Sequence, residues 1–133
     1  KKYHFYAGHR NTEAGEKCSR LHGHSYDVVC EFKFNEAEDK ESGLTMLFSD
    51  IDDSVEPIVK RYDHHFLLYD QDPLVNMFRM ANEPFISLPF MTSAENMAMH
   101  IYHRIKDEAK LPICRIELSE TKSSTIIYEE TSS

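Results

Sequence analysis

The feature that most constrains this chain is a long alternating run between His22 and Phe34. Every second residue in this run is a histidine, tyrosine, valine, cysteine or phenylalanine, and the residues between them are mostly polar. A period of two predicts a β-strand with one buried face. Two histidines, His22 and His24, begin the apolar face of that strand, which places ionisable groups next to the predicted core.

Other alternating segments predict that the chain is built around a sheet. A first strand ends at His9 on its apolar face, and residues 114–119 and 125–129 alternate near the other end of the chain. Leu44 to Phe48 is expected to form a short return strand after an acidic turn. The first part of the sheet is therefore expected to be a β-meander.

Two segments between the strands have the period of a helix. From Asp50 the apolar residues recur at i, i+4, i+7, i+8 and i+11, although Pro57 requires either a kink or a later start near Ser54. A second helix is predicted to begin with the capping box Thr92 to Glu95 and to stop before Pro112.

The segment from Tyr69 to Met91 has no sustained period and contains three prolines. We interpret it as a long loop with one turn around Leu74 to Met80. With strands at both ends and two helices between them, the chain is predicted to be a single α+β domain over residues 1–133. The two helices are expected to cover one face of an antiparallel sheet.

Composition excludes several classes of protein. Hydrophobic residues make up 41% of the 133 residues, which is typical of a folded chain and not of a disordered one. With 15 basic and 23 acidic residues the net charge is −8, which argues against nucleic-acid binding. No apolar run approaches the roughly 20 residues that span a membrane. The odd number of cysteines, three, favours reduced thiols and a cytoplasmic protein.

Three histidines share the apolar faces of the predicted strands. His22 and His24 point the same way, about 6.5 to 7 Å apart along the chain, and His9 is in phase with the core of the first strand. Three neutral ring nitrogens without a fourth obvious protein ligand are the donor set of a catalytic zinc ion, which keeps one position open. The alternative is that these are ordinary histidines satisfied by hydrogen bonds.

Cys18 lies four residues before His22 in a polar turn, so its thiol is expected near the mouth of the histidine cluster. A thiol has a reference pKa of about 8.5, and a nearby cation lowers that pKa and yields a metal ligand or a base. A cysteine without a role is equally compatible with the sequence. Cys30 and Cys114 are in phase with strand core positions and are expected to pack there.

Two carboxylates are further candidates for chemistry. Asp63 precedes His64 just after the first helix, where it either orients the imidazole for proton exchange or completes a charge pair at the helix end. Glu120 is in phase with Leu118, so a continued strand would bring its carboxylate to the apolar side, where a ligand with paired N–H donors satisfies both oxygens. If the strand ends at Leu118, Glu120 faces water instead.

Five elements in series resemble the 6-pyruvoyltetrahydropterin synthase family. In chain order they are His9, Cys18-Ser-Arg-Leu-His22-Gly-His24, Asp63-His64, Thr92-Ser-Ala-Glu95-Asn96 and Glu120-Thr121. Together they cover almost the whole chain. The Cys-x-x-x-His-Gly-His spacing is more similar to the bacterial 6-carboxytetrahydropterin synthase branch than to the animal enzymes.

The resemblance implies a tunnelling fold (T-fold), an antiparallel sheet with two helices on one face, assembled as a homohexamer with active sites between subunits. It implies zinc binding by His9, His22 and His24, and it makes Cys18 the proton-transferring base. The family substrate is 7,8-dihydroneopterin triphosphate, which the queuosine branch converts into 6-carboxy-5,6,7,8-tetrahydropterin with release of triphosphate and acetaldehyde.

The resemblance also implies roles for residues outside the zinc cluster. Asp63 and His64 would complete a triad with Cys18, from the same chain or a neighbouring one, and Glu120 would anchor the pterin ring. The residues expected to line the pocket are Thr92, Glu95 and Thr121. Since the net charge is −8, the triphosphate needs a local basic patch, for which the candidates are Arg10, Lys17 and Arg20.

The chain departs from the family pattern in two places. It reads Phe66-Leu67-Leu68 where the family commonly has an asparagine, and the loop over residues 69–91 is longer than is typical. Other functions therefore stay open: 6-pyruvoyltetrahydropterin synthase or another pterin side-chain lyase, a zinc hydrolase that needs no thiol, and a zinc-binding module without catalysis.

Overall fold

Six strands and three helices form the described part of the chain, residues 1–13, 15, 18–36 and 40–130, in a computed structural model. The strands are β1 (Lys2–His9), β2 (His22–Phe32), β3 (His65–Tyr69), β4 (Phe85–Leu88), β5 (Ile113–Thr121) and β6 (Ser124–Glu129). The helices are α1 (Phe48–Lys60), α2 (Leu74–Met80) and α3 (Ala94–Arg104), which runs into a π-helical turn at Ile105–Ala109.

The strands form one mixed sheet in the order β4-β3-β1-β2-β5-β6. Three neighbouring pairs are antiparallel: β1 with β2, β2 with β5, and β5 with β6. In contrast, β3 is parallel to β1, and β4 is parallel to β3. The α+β class is confirmed, but the expectation of a wholly antiparallel sheet with two helices is wrong for the β3 and β4 side of the sheet. There α2, a helix in addition to the two that were expected, connects β3 to β4 and makes the crossover that a parallel strand pair requires.

Strand β3 lies outside the alternating pattern that the sequence shows elsewhere. Leu67 and Leu68 are neighbours in β3, yet both are buried. A strand covered on both faces has no period of two, so it gives no alternating signal. The predicted loop over residues 69–91 is also wrong, because it contains strand β4 at Phe85–Leu88, and the turn expected around Leu74 to Met80 is helix α2.

The return strand predicted from Leu44 to Phe48 is also wrong. Leu47 is the N-cap of α1, and the helix begins at Phe48 and continues through Pro57 to its end. Pro57 and Asp53 both lie on the exposed side of α1. Water can therefore satisfy the Asp53 carbonyl oxygen that loses its N–H partner, and neither a break nor a later start is required.

The core lies between one face of the sheet and the helices, with α1 packed on β1 and α3 packed on β5 and β6. The largest fully buried side chains of the sheet include Phe5, Tyr26, Ile116 and Leu118. The alternation predicted for the first two strands is confirmed by their burial. Within the described residues, no helix has both the length and the apolar composition needed to cross a membrane.

A β-bulge changes the expected packing of one cysteine. Cys30 is buried as predicted, but Cys114 is only half-buried. The register between β2 and β5 shifts after Glu31, so that Phe32 pairs with Ile113 and Cys114 is passed over. A bulge adds one residue to one strand and reverses which side chains point inward, which is why Ile113 takes the core position instead.

Candidate metal centre and its cavity

Three histidines meet at one end of the sheet. His9 on β1 pairs directly with His22 on β2, and His24 is paired with Ala7. One potential ligand atom from each ring lies within 4.8 Å of the other two. His9 is only 3% exposed, and the other two rings are half-buried. The sequence prediction that the three histidines converge is confirmed.

Main-chain carbonyls orient two of the rings. His9 Nδ1 lies 2.7 Å from the oxygen of Thr92, and His22 Nδ1 lies 2.7 Å from the oxygen of Arg20. A ring N–H that donates to a carbonyl leaves the Nε2 lone pair free for a metal. His24 Nε2 is buried and has no hydrogen-bond partner among the described residues. Buried polar atoms in folded proteins normally have a partner, and a metal ion would provide one for His24 Nε2. The three histidines therefore fit a bound metal ion.

The local electrostatics favour the neutral form of the His9 and His24 rings. Burial lowers the pKa of His9 from 6.5 to about 4, the hydrogen bond with the Thr92 main chain opposes this change, and the neighbouring His22 and His24 add to it. Burial also lowers the pKa of His24, against the opposing charge of Glu120. A neutral imidazole is the form that binds metal, so the environment favours coordination at neutral pH.

Glu120 approaches the histidine cluster from β5. Its carboxylate oxygens lie 3.9 Å from His9 Nε2 and 3.7 Å from His24 Nε2, and its side chain is 26% exposed. β5 continues through Glu120, and its pairing with β6 shifts between Ser119 and Thr121. The carboxylate therefore lies on the apolar side of the sheet, as a continued strand predicts.

A cavity of about 190 Å³ opens on this cluster. It is lined by His9, Asn11, Cys18, His22, His24, Ser93, Ala94, Glu95 and Glu120. The loop that carries Cys18 is held by a hydrogen bond from the Asn11 N–H to the Cys18 oxygen, at 2.7 Å. Cys18 is exposed, so solvent and ligands can reach its thiol. The structure thus brings together the histidines, Cys18, Glu120 and Glu95.

Sequence reasoning missed three residues of this lining, Asn11, Ser93 and Ala94. Ser93 is the N-cap of α3, where its Oγ accepts a hydrogen bond of 3.2 Å from the Asn96 N–H. The predicted capping box put Thr92 in that role and is one residue out of register. The signal that could have found Asn11 and Ser93 is their position beside the predicted site residues His9 and Thr92.

Asp63 and His64 form a pair elsewhere on the chain. Asp63 Oδ1 accepts a 2.8 Å hydrogen bond from the Tyr6 N–H, and Oδ2 lies 2.9 Å from His64 Nδ1. The Tyr6 N–H, and then His64, lower the pKa of the Asp63 carboxyl. The His64 side chain is 77% exposed. The carboxylate therefore orients the imidazole, as either a triad or a charge pair at the helix end requires, and the catalytic role of the pair stays a prediction.

The pair does not share the cavity that Cys18 lines in this chain. His64 lines a wider depression of about 620 Å³, together with Tyr6 and Ser25 from the exposed face of the sheet. His22 and His24 line both cavities, so the two lie on either side of the histidine-bearing end of β2. Any triad of Cys18, Asp63 and His64 therefore requires more than this single cavity.

Two residues predicted to line the pocket lie outside the described lining. Thr92 is buried behind His9, and the Thr121 hydroxyl lies 3.4 Å from that of Ser123 at the exposed end of β5. Their contacts with substrate stay predictions. Of the candidates for binding triphosphate, Arg10 forms an ion pair with Asp72, and Lys17 lies outside the described residues.

The fold and the site together define an α+β domain with a three-histidine cluster suited to a metal. The family model described as 6-pyruvoyl tetrahydropterin synthase matches residues 1–131. The chain therefore belongs to the 6-pyruvoyl tetrahydropterin synthase family, as the sequence motifs predict.

Curated relatives agree with this assignment, and a solved structure has the same fold. The 6-carboxy-5,6,7,8-tetrahydropterin synthase of Haemophilus influenzae is 29% identical over 120 residues, which cover 86% of this chain and 85% of that protein. A probable enzyme of the same name from Halobacterium salinarum is 33% identical over 103 residues, 76% of this chain and 64% of its own length. The Caenorhabditis elegans 6-pyruvoyl tetrahydropterin synthase superposes with a TM-score of 0.71 at 18% identity, covering 98% of this chain and 93% of that one. The T-fold is thereby confirmed.

Proposed function

We propose that this chain is a zinc-dependent lyase of queuosine biosynthesis that converts 7,8-dihydroneopterin triphosphate into 6-carboxy-5,6,7,8-tetrahydropterin, triphosphate and acetaldehyde. The observation that carries the proposal is the convergence of three histidines, Cys18 and Glu120 on one cavity. The name shared by the Haemophilus influenzae and Aquifex aeolicus relatives supports this product. The three free cysteines support a reducing, cytoplasmic location.

His9, His22 and His24 would hold the zinc ion, each through Nε2. The bound ion would supply a Lewis acid for a substrate oxygen. The carbonyls of Thr92 and Arg20 would keep two of these rings in the tautomer that binds metal. The open position of a three-histidine site would face the cavity where the substrate side chain enters.

Cys18 would act on the side chain of the substrate, and Glu120 would bind its pterin ring. The Cys18 thiol lines the same cavity as the histidines, so it can take up and return a proton at the substrate side chain. The Glu120 carboxylate would accept two N–H groups from the guanidine-like edge of the pterin ring, a paired geometry that matches two oxygens. These two residues would fix both the position and the chemistry of the substrate.

Asp63 and His64 would act from a neighbouring copy in a homohexamer. Within one chain His64 lines a different cavity from Cys18, and the largely exposed His64 side chain is accessible to another subunit. An imidazole oriented by a carboxylate can exchange protons with a thiol. Assembly between subunits would therefore complete a Cys18–His64–Asp63 triad.

The test is incubation of zinc-loaded protein with 7,8-dihydroneopterin triphosphate, followed by mass spectrometry of the products, with a chelated sample as control. Acetaldehyde and 6-carboxytetrahydropterin that disappear with chelation are expected. A 6-pyruvoyl product would instead identify the family's other branch, 6-pyruvoyltetrahydropterin synthase. No conversion of any pterin by the zinc-loaded protein would refute the lyase function.

A matched pair of cysteine variants tests the role of the thiol. Cys18→Ala should lose at least 100-fold in kcat, since general acid–base groups contribute about 10²- to 10⁴-fold. Cys114→Ala, which removes a half-buried thiol outside the cavity, should keep the parent rate. A parent-like kcat in Cys18→Ala would refute the role of the thiol in proton transfer.

A further inference from the structure

An ion pair attaches the long segment between β3 and α3 to the metal-site end of β1. Arg10 Nε donates to Asp72 Oδ2 at 2.8 Å, and Arg10 Nη2 donates to Oδ1 at 2.5 Å. The Asp72 side chain is only 7% exposed. A bidentate guanidinium–carboxylate pair fixes direction as well as distance, so this contact holds two distant parts of the chain in one geometry.

Asp72 is itself held by the start of α2. Its Oδ1 accepts a 2.9 Å hydrogen bond from the Leu74 N–H, and its main-chain oxygen accepts one of 3.0 Å from the Val75 N–H. The Arg10 guanidinium, and then the Leu74 N–H, hold the pKa of the Asp72 carboxyl below its usual range. The carboxylate therefore has fixed partners on both sides.

The ion pair continues into the contacts that orient His9. Arg10 directly follows His9, and its main-chain oxygen lies 3.5 Å from Thr92 Oγ1. The main-chain oxygen of Thr92 in turn accepts from His9 Nδ1 at 2.7 Å. The end of β1 is thus connected to Asp72 through the Arg10 side chain, and to Thr92 through the Arg10 main-chain oxygen and the His9 ring.

Close packing attaches β3, which leads into this segment, to β1 one residue before His9. A Cβ atom added to Gly8 would lie 2.5 Å from the ring of Phe66 on β3. The two strands pair in parallel at this point, Gly8 with Phe66. The segment that begins with β3 therefore contacts β1 on both sides of His9 in sequence, at Gly8 and at Arg10.

We propose that Asp72 is a positioning residue of the metal centre, which acts through Arg10 to hold the end of β1 and the ring of His9 in the orientation that binds metal. The inference rests on the metal-binding role proposed for His9, His22 and His24. It gives the long segment over residues 69–91 a function, and it assigns Arg10 to this ion pair instead of to the substrate triphosphate.

The test is zinc affinity, measured without any pterin by competition with a chromophoric chelator. Asp72→Asn keeps an oxygen that can accept the Leu74 N–H but loses the charge that pairs with Arg10. Its zinc dissociation constant should rise about tenfold, because partners that orient a metal ligand contribute 10- to 100-fold to affinity. With Co²⁺ in place of zinc, the visible absorption bands of the variant should shift, since they report ligand geometry.

Asp70→Asn is the matched control. It makes the same chemical change two residues away, where the exposed carboxylate accepts a hydrogen bond from the neighbouring Gln71 side chain. Its zinc affinity and Co²⁺ spectrum should equal those of the parent. Thermal unfolding of all metal-free variants separates loss of orientation from loss of fold.

Arg10→Gln removes the other partner of the ion pair. It tests the proposal even if Asp72→Asn does not fold. It should weaken zinc binding to a similar extent, and the double variant should bind about as well as either single one, because the two residues act as a unit. Zinc affinity within twofold of the parent in a folded Asp72→Asn or Arg10→Gln, or strictly additive losses, would overturn the proposal.

Failure of the proposed lyase reaction can be distinguished from failure of the positioning role of Asp72. If the parent binds zinc but converts no pterin, the lyase function is refuted and the zinc titrations still decide the role of Asp72. If the parent binds no zinc, the metal centre and the positioning role of Asp72 are both overturned.

Discussion

His9 Nδ1 lies 2.7 Å from the main-chain oxygen of Thr92, a residue 83 positions further along the chain. This contact joins the last residue of β1 to the residue that precedes the N-cap of α3. Because the acceptor is a main-chain oxygen, no side-chain substitution removes it directly. The orientation of a predicted metal ligand is therefore a property of the tertiary fold, and its consequences can be measured.

Loss of either half-buried histidine should abolish tight zinc binding. Removal of a residue that merely orients a ligand costs 10- to 100-fold in affinity, so His22→Ala or His24→Ala should cost more than about 100-fold. Metal content after dialysis and competition with a chelator measure the effect. His103→Ala is the control, because its ring contacts Tyr128 and Glu130 away from the cluster. Parent-like affinity in His24→Ala would contradict the three-histidine site.

Stability of the metal-free protein should fall in mild acid. Burial lowers the pKa of His9 from 6.5 to about 4, so between these values the unfolded chain binds a proton that the folded chain does not. The free energy of unfolding should therefore decrease as the pH is lowered from about 6.5 towards about 4, by on the order of 3 kcal/mol. Urea denaturation across this range measures it. His9→Gln should show a shallower dependence, and parallel curves for the two proteins would refute the role of His9 in this pH dependence.

Loss of the hydroxyl should change the free energy of unfolding differently at two buried tyrosines. Tyr26 is fully buried, and its hydroxyl has no hydrogen-bond partner among the described residues. Tyr102 is also buried, but its hydroxyl donates to the oxygen of Ile113 at 3.1 Å. An unpaired buried polar group is unfavourable, whereas a paired one contributes about 1 kcal/mol. Tyr26→Phe should raise or preserve the free energy of unfolding, and Tyr102→Phe should lower it by about 1 kcal/mol. Chemical denaturation that ranks the two variants the other way would contradict the different hydrogen bonding of the two hydroxyls.

Substitution of Glu120 should affect substrate binding more than turnover. Glu120→Gln keeps the shape of the side chain but loses the charge that would accept two pterin N–H groups. Hydrogen bonds to charged groups contribute roughly 1.5 to 3 kcal/mol, so KM for the pterin should rise about tenfold or more. Steady-state kinetics measure it. Glu117→Gln is the control on the same strand, since its carboxylate pairs with Arg115. An unchanged KM in Glu120→Gln would rule out the anchoring role.

Much of the fold could be predicted where side chains alternate or repeat with a helical period. The apolar face of β2, from His22 to Cys30, and the buried face of α1, which includes Ile51 and Val55, follow patterns set by one-sided burial. β3 could not be found in this way, since Leu67 and Leu68 are both buried and leave no alternation. The bulge that leaves Cys114 only half-buried has no signal in the sequence, because register between strands depends on their partners.

The sequence by itself determined which chemistry the chain carries: the His-Gly-His spacing puts two imidazoles on one face of a strand, and the shared phase of His9 brings in a third. Only the tertiary structure decided how these groups are held and which others join them. Thr92 orients His9, the Glu120 carboxylate lies within 4 Å of His9 and His24, and His64, paired with Asp63, lines a separate cavity. The physical reason is that periodicity fixes the direction of a side chain within its own element, whereas distances between elements depend on packing between residues far apart in the chain.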